Sequence, residues 1–169
     1  MGAIYAFTCT KCGKLHEGSP SFSFGSPWYY AQLPEPARSN ARLDSDTCTI
    51  KDTNGTDYFV RVVLEIPIHN IDEPFLWGVW ASLSKASFDR YVATYDDPDE
   101  GDSHFGWFSN RLPYYPETLG LKTNVHPRKG GWRPYLTIER NGHPLAEHLA
   151  DGISIDLAQQ IAERVMHDG

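Results

Sequence analysis

The chain has no apolar run approaching the roughly 18 residues of a membrane-crossing helix, which excludes a hydropathic span. Its opening residues, MGAIYAFTCTKCGK, lack a basic stretch followed by an apolar stretch and a cleavage site, so no signal peptide is read there. Cysteine is scarce: three residues, an odd count that speaks against a closed disulfide framework. Few thiols without a secretory signal point to the reducing cytoplasm. Positive charge is also short, with 15 Lys and Arg against 22 Asp and Glu and a formal net charge of −7. Broad contact with nucleic acid needs clustered Lys and Arg, so none is expected. The short basic run of Arg128, Lys129 and Arg133 reads first as a solvated loop. G-x-S-x-G, the phosphate-binding loop, G-x-G-x-x-G and H-E-x-x-H are all missing.

Aromatic residues are plentiful. Five Trp, nine Tyr and eight Phe supply large buried areas to a chain that is only 40% hydrophobic. Twelve Pro and fourteen Gly imply many turns and few long helices. A length of 169 residues suits one domain, 1–169, with its own core.

The pattern along the chain predicts α+β: an antiparallel sheet with a few helices on one face and a zinc-knuckle-like turn at the N-terminus. A first strand is expected over 4–9, an ordered aromatic loop over 17–33, and a short helix over 34–43 with Pro34 and Pro36 in its first turn. Runs 47–51 and 57–68 flank Asn54-Gly55, a hairpin signal in which both turn residues take positive φ. Residues 75–83 read as a central strand. Ser84 caps a helix at 85–95, with Phe88, Tyr91 and Val92 on one face. Residues 104–109 read as strand or turn, and 121–126 and 133–140 as strands. A short helix runs from His143-Pro144 to about Ala150. A last helix, capped by Ser154 or Asp156, carries Ile155, Ala158, Ile161, Ala162 and Val165 at 3-4 spacing.

The clearest chemical motif is Cys9-Thr-Lys-Cys12-Gly13, followed by His16. A tight turn aims both thiolates at one point, and Gly13 lets backbone N–H groups approach them. Cys48 heads the hairpin, and with His16 it completes a four-ligand zinc set: Cys9, Cys12, His16 and Cys48. Four protein ligands make such a site structural; three plus water leave it open for catalysis. Partly buried free thiols are a second reading. A redox pair is a third, but redox C-x-x-C motifs open a helix after a strand, and here a long Pro/Gly loop follows.

Asp44 and Asp46 share one side of an extended segment and, with Glu65, form a candidate set for metal or acid–base chemistry. Turn and cap chemistry, which Asp-Ser-Asp often does, is the favoured reading of that pair. The seven histidines are scattered, and His143 and His148 lack i, i+4 spacing. Most aromatic clusters read as core, with Phe105 to Pro116 the candidate functional loop.

The islands CTKCGKLHEGSPSFSFG, LPEPAR with LDSDTCTI, YFVRVVLEIPI, FLWGVWASLS, HFGWFSNRLPYYPETLGLKT and HPLAEHLADGIS together resemble the bacterial domain-of-unknown-function family 2199 over nearly the whole chain. The resemblance implies a cytosolic single-domain protein and Cys9, Cys12, His16 and Cys48 as motif positions; it brings no reaction with it. The HPLA island departs from the family pattern at Glu147-His148, where Glu-Gln is expected. Residues and resemblance together predict a zinc-stabilised cytoplasmic protein that binds a protein partner, in the manner of a toxin-immunity protein. The alternative is a metal-dependent hydrolase built on Asp44, Asp46 and Glu65 or on an open zinc site. Neither nucleic acid nor membrane is an expected partner.

Overall fold

Aromatic and β-branched runs over 47–83 and 104–138 form most of the strands. The structure is a computed structural model that describes residues 3–167. The elements are β1 (Ala6–Thr8), β2 (Leu15–Glu17), β3 (Ser21–Ser23), α1 (Trp28–Ala31), α2 (Glu35–Arg38), β4 (Ala41–Leu43), β5 (Thr47–Asp52), β6 (Gly55–Ile66), β7 (Phe75–Leu83), α3 (Lys85–Ala93), β8 (His104–Phe108), β9 (Lys122–His126), β10 (Tyr135–Ile138), α4 (Pro144–Asp151) and α5 (Ile155–His167).

The expected open antiparallel sheet is instead a closed barrel. Strands β6, β7, β8, β9 and β10 pair in sequence order, and β10 returns to β6 through Tyr135 opposite Val63. Each successive pair is antiparallel. An odd number of strands that alternate in direction leaves the first and last running the same way, so the closing pair must be parallel. Closure also removes the single free face on which the helices were expected. They pack around the barrel, α3 against β6 and α4 against β6 and β10.

Two long strands serve both the barrel and an outer flap. One edge of β6 pairs with β7 from Tyr58 to Ile66. Its other edge pairs with β5 from Gly55 to Val60 and then passes to β10 at Val63. β4 extends the β5 side, and β3 lies parallel to the first half of β7. β1 and β2 form a separate two-stranded hairpin around the Cys9–Cys12 turn.

Period-2 alternation puts Val60, Val62, Leu64 and Ile66 of β6 opposite Ala81, Val79, Trp77 and Phe75 of β7, and all eight are buried. They join Phe108, Val125, Leu136 and the α5 residues Ala158, Ile161 and Ala162 in one core cluster. Each large side chain so buried contributes about 1.5–3 kcal/mol. Trp80 points the other way, into a second cluster with Cys48, Ile50 and Phe59 beneath the flap.

The hairpin lies where expected, but its turn differs. Of the Asn54-Gly55 pair, Gly55 takes positive φ, at 136°, and Asn54 does not. The Asp52 carboxylate accepts the Asn54 N–H at 2.7 Å, so a side chain closes the turn that a left-handed Asn-Gly pair was expected to close. Ser84 caps α3 by accepting the Ser87 N–H, yet Val92 is half exposed and only Tyr91 is fully buried on that helix. The expected 34–43 helix shrinks to α2, since β4 pairs with β5 from Ala41 onward.

Candidate metal centre and adjoining cleft

The knuckle is set by its own backbone. The Gly13 N–H bonds to the Cys9 carbonyl, and the Cys9 N–H to the Lys14 carbonyl, both at 2.9 Å. The Lys11 N–H points at Cys9 Sγ at 3.4 Å. Gly13 takes φ +73°, where a Cβ is disfavoured. Cys9 is buried and Cys12 exposed. The Lys14 backbone N–H, and after it His16, hold the Cys12 thiol down to about 6.

The third member comes from the other end of the chain. Cys9 Sγ lies 3.1 Å from His167 Nε2, at the end of α5. Ligand atoms of Cys9, Cys12 and His167 all fall within 4.8 Å of one another. Cys12 Sγ is 3.7 Å from His16 Nε2. A tetrahedral zinc at ordinary bond lengths separates sulfur from nitrogen by about 3.6 Å; the Cys12–His16 pair sits near that spacing, and the Cys9–His167 pair is about 0.5 Å closer. Two thiolates with imidazole are the soft, nitrogen-rich donor set that suits zinc.

α5 grips the knuckle along one stripe. Gln159 donates to the Thr8 carbonyl at 3.2 Å. Glu163 accepts the Thr10 N–H and hydroxyl, each at 2.7 Å. The Thr10 N–H, followed by Gln159 and the Thr10 hydroxyl, holds the Glu163 carboxyl down to about 2. Gln159, Glu163 and His167 are spaced i, i+4, i+8, one face of a helix. That polar stripe is the sequence signal for His167, on a helix read only for its apolar face.

Cys48 does not join this group. It lies on β5 in the second core cluster, and burial first, with Asp44 nearby, pushes its thiol up to about 12. Strand alternation buries Cys48 with Ile50 beneath the flap.

The carboxylate set divides. Asp44 accepts the N–H groups of Asp46 and Thr47 and the Thr47 hydroxyl, the work of a turn. Asp46 and Glu65 both line a cleft of about 600 Å³ at the point where β6 passes from β5 to β10. Its floor is Val63, Glu65 and Leu76; one wall is the end of α3 with Tyr91, Tyr95 and Pro98, and the other is the 127–134 loop with Trp132. Each acid is tied to arginine, Asp46 to Arg133 at 3.2 Å and Glu65 to Arg128 at 2.8 Å. Tyr95 also donates to Asp46, at 2.9 Å. In the Phe105–Pro116 segment, Phe105–Phe108 is strand β8 and Asn110 is buried, accepting the Trp80 N–H and donating to the Ser26 carbonyl.

The family model described as "Uncharacterized protein conserved in bacteria (DUF2199)" matches residues 8–153. The chain belongs to this bacterial family. The matched span of this DUF2199 chain includes Cys9, Cys12, His16 and Cys48 and ends before His167. No curated protein and no solved structure matches it. Among the described residues, no helix is long and apolar enough to cross a membrane.

Proposed function

We propose that the protein is a zinc-stabilised binding protein. The metal is held by Cys9, Cys12 and His167, with His16 beside Cys12 as the candidate fourth ligand, and staples α5 to the N-terminal knuckle. The observation that carries this is the convergence of Cys9, Cys12 and His167 within 4.8 Å from opposite ends of the chain. His16 lies outside that group of three; turned toward it from beside Cys12, it supplies the fourth protein ligand that closes the site and makes it structural. The protein's working surface then lies elsewhere. Its acid excess, −7 overall, favours a basic protein partner, as in neutralisation by an immunity protein. Hydrolysis by Asp44, Asp46 and Glu65 has less support, because the first closes a turn and the other two are paired with arginine.

Metal analysis of purified protein tests the centre: about one equivalent of zinc is expected, lost in Cys12→Ser. Less than about half an equivalent, unchanged by the substitution, refutes it.

A further inference from the structure

We infer that the cleft at the handover from β5 to β10 is the docking site for an extended, positively charged segment of a protein partner. This rests on the binding-protein reading above and deepens it, but does not depend on the zinc.

The cleft is a product of topology. β5 begins opposite Val60 and β10 opposite Val63 on the same edge of β6, so the turns that lead into them stand on either side of the gap. The Arg61 N–H bonds back to the Asp46 carbonyl at 2.9 Å, and the Val63 N–H to the Pro134 carbonyl at 2.9 Å, which fixes both rims. The opening of about 600 Å³ is in the range that takes a body of several linked groups rather than a single ion.

Its lining selects the occupant. Tyr91, Tyr95, Trp132, Pro98, Pro127 and Pro134 present rings and proline faces, the kind of surface on which an extended peptide lays its backbone and alternate side chains. Trp132 is 71% exposed, a large apolar side chain on the lip with no partner ring among the described residues. Charge decides the sign. The basic groups inside are already occupied, Arg128 by Glu65 and Arg133 by Asp46. The third lining acid, Asp96, is exposed and forms no ion pair among the described residues, so the lining carries one acid more than it has bases. An exposed carboxylate beside tyrosine and tryptophan faces attracts a Lys or Arg side chain by charge and by the ring quadrupole.

The test uses the full chain and two fluorescein-labelled ten-residue probes, one alternating Lys and Pro and one alternating Glu and Pro, read by anisotropy at low salt. The basic probe is expected to bind about tenfold or more tighter than the acidic one and to weaken as salt rises. Trp132→Ala and Asp96→Asn alter exposed side chains and are expected to weaken the basic probe about tenfold and about threefold respectively, with circular dichroism unchanged. Equal affinity for the two probes, or basic-probe affinity untouched by Trp132→Ala, overturns the inference. So does absence of basic-probe binding at about millimolar concentration. Free arginine competing as well as the ten-residue probe overturns the assignment to a polypeptide. Should the probes fail while a defined protein partner still binds elsewhere, this site is wrong and the binding reading stands.

Discussion

His167→Ala is the perturbation that weighs most on the metal centre. The side chain is exposed and ends α5, so its removal leaves the core intact. Structural zinc sites of this kind bind with about 10–16 kcal/mol, so one of four ligands is worth about 3 kcal/mol, or about two orders of magnitude in Kd. Zinc at 100 times the wild-type Kd adds about 2.7 kcal/mol to folding stability. For a chain of this size that raises the melting temperature by about 5–10 °C. At the same zinc concentration the variant sits near its own Kd and gains only about 0.4 kcal/mol, roughly one degree. Competition against a chromophoric chelator and thermal unfolding with and without zinc read both numbers. Cys48→Ser is the paired control: its thiol lies in the cluster beneath the flap, so zinc affinity is expected to be unchanged. If His167→Ala holds zinc as tightly as wild type while Cys48→Ser loses it, the ligand set derived from the structure is wrong.

Zinc affinity should fall below about pH 6, where a proton competes with the metal for Cys12, held down to about 6, at about tenfold or more per pH unit; an affinity that stays flat from about pH 7 to about pH 5 would contradict this. The Glu163–Thr10 contact follows the same sign: its carboxyl lies below the usual value, so the contact's contribution is full above pH 4.5 and fades toward about 2, and exchange protection of the Thr10 amide should fade in that window. Gly106→Ala drives a Cβ into the Ser82 carbonyl and to 3.0 Å from Leu83, where β7 and β8 pair. It should cost about 1–3 kcal/mol in urea unfolding, and an unchanged midpoint would show that the barrel yields there. Asn110→Ala orphans the buried Trp80 N–H and the Ser26 carbonyl and should cost about 1–3 kcal/mol by the same measurement.

Local chemistry was legible in the sequence. Alternation marked β6 and β7, Ser84 marked the start of α3, and the C-x-x-C-G spacing marked the knuckle, because each depends on residues a few positions apart. Even there a neighbour intervened: the Asp52 side chain, not a left-handed Asn54, closes the hairpin turn. Tertiary structure decided the rest. Whether β10 returns to β6 is a pairing across some 70 residues that no window shows, and it alone turns a sheet into a barrel and opens a cleft beside the seam. It also decided which remote side chain lies beside the knuckle. Cys48 and His167 are both remote from the knuckle in sequence. Strand alternation sends the thiol under the flap, and the polar stripe of α5 carries the imidazole 158 positions back to Cys9. Side-chain periodicity fixes which face a residue occupies, but only the packed chain fixes what that face meets.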